Sequence, residues 1–184
     1  ENSTTYKNMI ADIDQKADIF LGIEAKGVAA IFRPLHEVGG EWFWWTARKK
    51  GDLHSASEFI ALYRLVFDRI VHHQKVNNLI WVWNPEPSVL ETWDPGAEYY
   101  DILSYDKYYN PEDYSSHIAT YNSYKNASNS KKILALSENG PIPDVNNMHE
   151  DGAVWSWWMP WYASWGEEYP SQTENSVWVS NMSD

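Results

Sequence analysis

Apolar residues near the start of the chain recur at the spacing of a helix that buries one face. Within 4–26 they fall three or four positions apart, which predicts an amphipathic helix. These residues are Tyr6, Met9, Ile10, Ile13, Ala17, Phe20 and Leu21. Gly27 ends the pattern, and the apolar run 28–32 is typical of a strand buried on both faces of a parallel sheet. The sequence therefore predicts a helix followed by a buried strand.

A second helix and strand follow, with clear start and stop signals. Ser55 and Glu58 stand at the spacing of a capping box, and helical periodicity continues after them. The apolar face consists of Phe59, Leu62, Tyr63, Val66, Phe67, Ile70 and Val71. Asn77-Asn78 predicts a turn, and the run 79–83 predicts the next buried strand.

The rest of the chain supplies three more strand candidates and a helix candidate. The strand candidates are 99–105, 132–137 and 153–158, and the helix candidate is 114–125. Short apolar strands that alternate with helices or long loops indicate a parallel α/β sheet, here of five strands. We expect the polar tail 167–184 to be peripheral or cut short.

Two glutamates stand where apolar runs end. Glu37 closes the stretch that begins at 28 and precedes several tryptophans, and Glu138 closes the run that begins at 133. Cleavage of a glycosidic bond needs two such acids, one to protonate the departing oxygen and one opposite the anomeric carbon. A separation of about 5–5.5 Å retains the anomeric configuration and a wider gap inverts it. The sequence leaves that separation open.

The two glutamates differ in their expected roles. Trp42 and Trp44 follow Glu37, and an apolar setting keeps a carboxyl group protonated, so Glu37 is the better candidate for the proton donor. Asn139 and Gly140 give Glu138 a more polar setting, which suits an ionised nucleophile. The structural alternative for each is a solvated residue or a salt bridge at a strand end.

Acids at the carboxyl ends of parallel strands are typical of the (β/α)8 TIM barrel, which builds its sites on that face. A complete barrel has eight strands and usually about 250 residues. This chain has 184 residues and opens on a helix. We therefore expect 1–184 to be one partial barrel domain that runs from helix 3 to strand 8, covering strands 4 to 8 and lacking the first three.

Other polar residues near these acids have a functional and a structural interpretation. His36 could bond a sugar hydroxyl or tune Glu37, or it could be a satisfied structural histidine. Arg33 could pair with an acid in the barrel or form a structural ion pair. Tyr108 follows a predicted strand, where its phenol could hold the carboxylate of the nucleophile. The histidines form no metal-ligand pattern, and we expect no metal and no cofactor.

Tryptophans could line a sugar groove, because their flat faces suit the C–H side of a pyranose ring. Trp42, Trp44, Trp157 and Trp161 are the candidates, and Trp42 and Trp161 are favoured because each follows the end of a strand. The alternative for any of them is a place in the core.

The composition limits the classes of molecule that this chain is expected to bind. Lys and Arg total 14 against 26 Asp and Glu, a net charge of −12, which excludes nucleic acid and leaves a neutral polysaccharide or oligosaccharide open. The chain has no cysteine, so disulfides and thiol nucleophiles are excluded. It shows no signal peptide and no apolar segment of membrane length, so we expect no membrane partner.

Four segments resemble glycoside hydrolase family 26, best known for endo-β-1,4-mannanases. They are RPLHE (33–37), WFWW (42–45), NNLIWVW (77–83) and LSE (136–138). The resemblance runs from about 28 to 165 and implies a (β/α)8 barrel with a retaining double displacement.

The resemblance also implies roles for particular residues. Glu37 matches the acid/base at the end of barrel strand four, and Glu138 matches the nucleophile at the end of barrel strand seven. The remaining matches are His36 beside the acid/base, Trp42 near the cleavage subsite, Tyr108 hydrogen-bonded to the nucleophile and Trp161 after the eighth strand. In this family the first three strands also line the groove, so a possible partner is the N-terminal part of the same barrel.

The leading hypothesis is an endo-acting retaining β-1,4-mannanase that cleaves mannan, galactomannan or glucomannan. The alternatives are a β-1,3-1,4-glucanase or xylanase of the same family, a non-catalytic carbohydrate-binding barrel, and a structural fragment. A depolymerase meets its substrate outside the cell, so we expect an extracellular location by analogy.

Overall fold

The computed structural model describes residues 3–49, 52–53, 55–108 and 113–161. The chain forms two compact units. Unit 1 comprises Glu1–Trp83 and Thr92–Asp101, and unit 2 comprises Asn84–Glu91 and Ile102–Asp184. The predicted polar tail lies outside the described residues.

Unit 1 begins with helix α1 (Thr4–Glu24), as the apolar period predicted. The Ser3 side chain caps it by accepting from Tyr6 N at 3.1 Å, which satisfies one of the free amides of the first turn. Gly27 follows with φ 71°, a left-handed conformation that glycine adopts at little cost. The chain then enters strand β1 (Ala30–Phe32).

Helix α2 (Ala56–Phe67) begins at the predicted capping box. Ser55 Oγ accepts from Glu58 N, and the Glu58 carboxylate accepts from Ser55 N at 2.9 Å. The helix continues as a π-helical turn, Asp68–His73, and leads to strand β4 (Leu79–Trp83), which has the predicted bounds. Tyr63 is buried on α2 and donates to Val82 O at 3.3 Å, so the helix is tied to the strand it covers.

β1 and β4 pair in parallel, with Ile31 opposite Ile80. Phe32 packs edge-on against Trp81 with ring centroids 5.1 Å apart. The prediction that 28–32 is buried on both faces is wrong, because Ile31 is 55% exposed. Within the described residues β1 pairs with β4 alone in this unit, and an edge strand has less cover. A short antiparallel pair, β2 (Arg48–Lys49) and β3 (Asp52–Leu53), was not predicted.

In unit 2, strands β5 (Ile102–Lys107), β6 (Ile133–Asn139) and β7 (Trp158–Pro160) pair in parallel in chain order. Helix α3 (Ile118–Ala127) connects β5 to β6, and helix α4 (Val145–Asp151) connects β6 to β7. Within the described residues the parallel strands of the two units number five, as the sequence predicted, and they are part of a (β/α)8 barrel.

Two of the predicted strands begin three or more residues later than predicted. The strand predicted for 99–105 begins at Ile102, because Ala97–Tyr99 forms a 3₁₀ turn first. The strand predicted for 153–158 begins only at Trp158, since Ala153 N bonds Met148 O and closes the turn after α4. None of the described helices combines the length and the apolar character that a membrane span requires.

An ion pair ties the two helical segments of unit 1 together. Arg69 donates from Nε and Nη2 to the Asp14 carboxylate at 2.6 and 2.7 Å, and Gln74 Nε2 donates to Asp14 Oδ1 at 2.7 Å. The hydrogen bonds from Arg69 lower the pKa of Asp14 from 3.8 to about 2, and Gln74 and the nearby His73 act in the same direction.

We expect Asp14→Asn to destabilise the protein more at pH 6 than at pH 3. The folded-state pKa lies below the unfolded value, so the contribution is complete above about pH 4 and is lost as the pH falls through the folded pKa. Urea unfolding at both pH values measures this. Asp18→Asn, at an exposed position of α1, is the matched control, and an equal loss at both pH values would contradict the assignment.

Candidate active site

The segment after β1 carries Glu37 in an unusual backbone conformation. Glu37 has φ 54° and Leu35 has φ 50°, in the left-handed region that residues other than glycine rarely adopt. Such conformations cost free energy and persist where surrounding contacts hold them, often at functional sites. Gly40 N donates to Glu37 O at 2.9 Å, and Ala47 N donates to Val38 O at 2.6 Å. These bonds close the loop that follows the glutamate.

Trp42 holds the Glu37 side chain directly. Its indole Nε1 donates to Glu37 Oε2 at 2.6 Å. Trp42 is nevertheless 62% exposed, so the indole combines a fixed polar edge with an open surface. A ring of this kind can both orient the carboxyl group and offer a flat face to a ligand.

His36 is fixed by a cluster of aromatic residues. Trp45 Nε1 donates to His36 O at 2.9 Å, and the imidazole lies 4.7 Å from the Phe43 ring. Phe43 and Trp45 are stacked with centroids 4.5 Å apart and an interplanar angle of 10°. The stack supports the segment that carries Glu37. Arg33, half-buried, directly follows β1 and begins the same segment.

Glu138 lies in unit 2, inside strand β6, and is 5% exposed. Tyr108, just after β5, donates from its hydroxyl to Glu138 Oε2 at 2.7 Å. A buried carboxylate needs such donors, because loss of hydration is costly. The expected hydrogen bond between Tyr108 and Glu138 is therefore present, whereas the nucleophile role of Glu138 stays a prediction.

A β-bulge in β6 sets the direction of the Glu138 side chain. Tyr105 pairs with Leu136 and Asp106 pairs with Glu138, so β6 has one more residue than β5 at this point. The register between β6 and β7 shows the same extra residue between Leu136 and Asn139. A bulge re-aims side chains next to it. Here it lets two consecutive residues, Ser137 and Glu138, both approach Asp106, since the carboxylate oxygens of Asp106 and Glu138 lie within 4.8 Å.

A buried polar network that the sequence did not reveal surrounds Asp106. Asp106 Oδ1 accepts from Asn84 Nδ2 at 3.0 Å and from Ser137 Oγ at 2.7 Å. Ser104 Oγ lies 2.7 Å from Ser137 Oγ and 3.1 Å from Asn84 Nδ2. A sequence signal for this network exists, because β4, β5 and β6 each have a polar residue within or directly after their apolar run. These contacts account for the polar groups around Asp106, and we propose no metal ion here.

Trp161 follows β7 and is 45% exposed, and its backbone N donates to Asn139 O at 3.0 Å. Trp44 is 53% exposed, whereas Trp157 is half-buried with its Nε1 buried and unbonded. Trp42, Trp44 and Trp161 are therefore better placed than Trp157 to contact a ligand, because their side chains are more exposed.

The predicted site residues fall into one group in each unit. Unit 1 brings together Arg33, His36, Glu37 and Trp42 within one loop. Unit 2 brings together Tyr108 and Glu138, with Trp161 anchored to the residue after Glu138. Each group follows the carboxyl end of a parallel strand, which is where barrel enzymes build their sites. The chain thus has the form of part of a (β/α)8 barrel that carries candidate site residues at the ends of its strands.

Comparison with known proteins gives the family. The model of glycosyl hydrolase family 26 matches residues 1–181, and the chain belongs to this family of glycoside hydrolases. A mannan endo-1,4-beta-mannosidase of Thermothelomyces thermophilus is 34% identical over 175 residues, which is 94% of this chain and 33% of that protein. Mannan endo-1,4-beta-mannosidase B of Piromyces sp is 32% identical over 161 residues, or 88% of this chain and 26% of that protein.

Solved structures show the same likeness. The crystal structure of a beta-mannanase from a symbiotic protist of the termite Reticulitermes speratus, in complex with a gluco-manno-oligosaccharide, has a TM-score of 0.84 and 32% identity. The match covers 100% of this chain and 54% of the protist mannanase chain. The Podospora anserina GH26-CBM35 beta-(1,4)-mannanase has a TM-score of 0.78 and 32% identity, with 96% of this chain and 36% of that one covered. This chain thus spans from about a quarter to about a half of the length of these four relatives.

We expect Asn84→Ala to destabilise the protein by about 1–3 kcal/mol, because it leaves the half-buried Asp106 carboxylate and the buried Ser137 hydroxyl without their amide donor. Thermal or urea unfolding measures the loss. Asn122→Ala, at an exposed position of α3, is the control and should change stability little. Equal stability of the two variants would show that the network contributes nothing.

Proposed function

We propose that this chain carries the two catalytic glutamates of an endo-acting, retaining β-1,4-mannanase that cleaves mannan, galactomannan or glucomannan. The observation that carries the proposal is that a family 26 chain has one glutamate in the loop after a parallel strand and another near the carboxyl end of a second parallel strand, and that each accepts a hydrogen bond from an aromatic side chain. The relatives named above are mannan endo-1,4-beta-mannosidases or mannanases, which supports mannan as the backbone.

Glu37 is the proposed acid/base. In the first step it gives its proton to the glycosidic oxygen as the bond between that oxygen and the anomeric carbon breaks. In the second step it takes a proton from the water that attacks the anomeric carbon. Glu37 is half-buried and its carboxyl oxygen is held by the Trp42 indole, which suits a group that must exchange protons in a fixed direction.

Glu138 is the proposed nucleophile. Its carboxylate attacks the anomeric carbon as the leaving group departs, and the covalent bond so formed is broken by water in the second step. The hydroxyl of Tyr108 bonds Oε2 and the β6 bulge fixes the backbone, so the carboxylate enters the reaction already oriented.

The other predicted residues bind or support the sugar chain. Trp42 and Trp161 supply exposed aromatic surfaces for pyranose rings, and Trp44 offers a third. His36, held by Phe43 and Trp45, bonds a sugar hydroxyl, and Arg33 supports the loop. A neutral substrate is compatible with the net charge of −12, whereas a polyanion is repelled.

Two further points belong to the proposal. The chain corresponds to helix 3 through strand 8 of the family barrel, and its partner is the part of the same barrel that holds strands 1 to 3. The enzyme acts outside the cell, where a polysaccharide too large to enter is degraded.

We expect Glu138→Ala to lower turnover of mannan by at least about a thousandfold in the complete catalytic domain, because it removes the proposed nucleophile that forms the covalent intermediate. Release of reducing ends from galactomannan, glucomannan, mixed-linkage glucan and xylan is the measurement. Glu150→Ala, at an exposed position of α4, is the control. Activity of Glu138→Ala equal to that of the control would refute the mechanism. If the unaltered domain cleaves glucan or xylan faster than the mannans, the proposed substrate is wrong. If the unaltered domain binds sugar without turnover, a carbohydrate-binding protein is favoured.

We expect Tyr108→Phe to lower kcat by roughly 10- to 100-fold, the value of one hydrogen bond to a charged group, and to change KM little. Steady-state kinetics on a manno-oligosaccharide measure both constants. Tyr121→Phe keeps its ring contact with Trp155 and serves as the control. A rise in KM with unchanged kcat would instead place Tyr108 in substrate binding.

A further inference from the structure

Gly40 lies in the loop between Glu37 and Trp42, and it is buried. A Cβ at this position would come within 2.6 Å of Trp42 Cζ2, 2.8 Å of Cε2 and 3.0 Å of Cη2. Distances this short do not occur between non-bonded carbon atoms, so the ring or the loop would have to move. The backbone of Gly40 is outside the left-handed region, so any residue could adopt its conformation. Space for the indole, and not backbone freedom, is what requires glycine here.

Displacing this indole has a direct effect on Glu37. The ring is rigid, and its nitrogen donates to Glu37 Oε2 at 2.6 Å. A shift of the ring atoms near Gly40 therefore also moves this nitrogen. The amide of Gly40 also donates to Glu37 O at 2.9 Å. Gly40 therefore bonds the backbone of Glu37 directly. It affects the Glu37 side chain indirectly, through the Trp42 indole. A methyl group at Gly40 would push the ring away from the position in which its N–H reaches the carboxyl oxygen.

We propose that Gly40 is a positioning residue for proton donation by Glu37, acting through the Trp42 indole. The proposal rests on the proposed function, since it requires Glu37 to be the acid. A donor group that is misplaced by about 1 Å loses up to about a hundredfold in rate. This loss of rate is expected for substrates whose leaving group must be protonated. It is not expected for substrates whose leaving group departs without a proton.

Two substrates separate these cases. In a manno-oligosaccharide the leaving group is a hydroxyl of the next sugar residue, so cleavage depends on the acid. A 2,4-dinitrophenyl β-manno-oligosaccharide releases a stable phenolate without protonation. We expect Gly40→Ala, in the complete catalytic domain, to lower kcat/KM for the first by about tenfold or more and to leave the second nearly unchanged. A general structural defect would lower both equally, and that result would overturn the proposal.

Two further variants test the route through the indole. Trp42→Phe removes Nε1 and the outer ring atoms nearest to Gly40. Because Trp42 also offers a surface to the sugar, this variant lowers kcat/KM for both substrates, and we expect the manno-oligosaccharide to lose about tenfold more than the dinitrophenyl substrate. Gly40→Ala added to Trp42→Phe should then cost nothing more. An additional loss in the double variant would show that Gly40 acts by another route. Gly22→Ala is the control for the glycine change, since nothing lies within 4 Å of a Cβ there.

The outcomes also distinguish this inference from the proposed function. If Glu37→Ala cleaves the manno-oligosaccharide like the unaltered domain, the proposed function fails. If Glu37→Ala shows the selective loss and Gly40→Ala does not, the role of Gly40 alone fails. Should Gly40→Ala not fold, recovery of folding in the double variant with Trp42→Phe supports the predicted clash. A double variant that also fails to fold overturns it.

Discussion

Parallel pairing of short buried strands is the constraint on which the rest of this structure depends. Strands that run in one direction bring their carboxyl ends to the same edge of the sheet. In unit 2 the pairing of β5 with β6 rests on fully buried side chains, among them Leu103, Ala135 and Leu136. The apolar part of each strand gives the pairing its stability, and the residues at and after each carboxyl end are free to carry chemistry. Glu37, Tyr108, Glu138 and Trp161 lie there.

The two candidate acids are held in different ways. Glu37 sits in a loop with a left-handed backbone, supported by amide hydrogen bonds and by aromatic residues. Glu138 sits within a strand, buried, with its direction set by a bulge and a phenol. A loop residue with an exposed indole beside it can exchange protons with solvent and substrate. A residue fixed by a sheet is better suited to attack one carbon atom along one line.

Local patterns in the sequence predicted much of the fold. The capping box at Ser55, helix α1 and strand β4 were found because their signals involve residues close in sequence. Helix α4 was missed, since it is short and buries Met148 alone, which leaves no apolar period to detect. The strand predicted for 153–158 began too early because Ala153, Val154 and Trp155 are apolar residues of a turn.

The site was predicted less completely, for a physical reason. Glu37 and Glu138 could be proposed from the sequence because each ends an apolar run. The network around Asp106 depends on which residues of β5 and β6 are opposite each other, and the bulge changes that register by one residue. The contact between Gly40 and the Trp42 ring depends on a side-chain position. Neither register nor side-chain position can be read from a single sequence without tertiary contacts.

The amide nitrogen of Asn84 has two hydrogens and three oxygens within reach, at 3.0, 3.0 and 3.1 Å. It is therefore a shared donor, and the two hydroxyl hydrogens of Ser104 and Ser137 must arrange themselves around it. Aspartate has almost the same shape as asparagine, yet it would place a second acceptor beside Asp106 where the donor now stands. The identity of one buried atom, nitrogen in place of oxygen, thus decides whether the carboxyl ends of these strands hold a joined network or two carboxylates that repel each other.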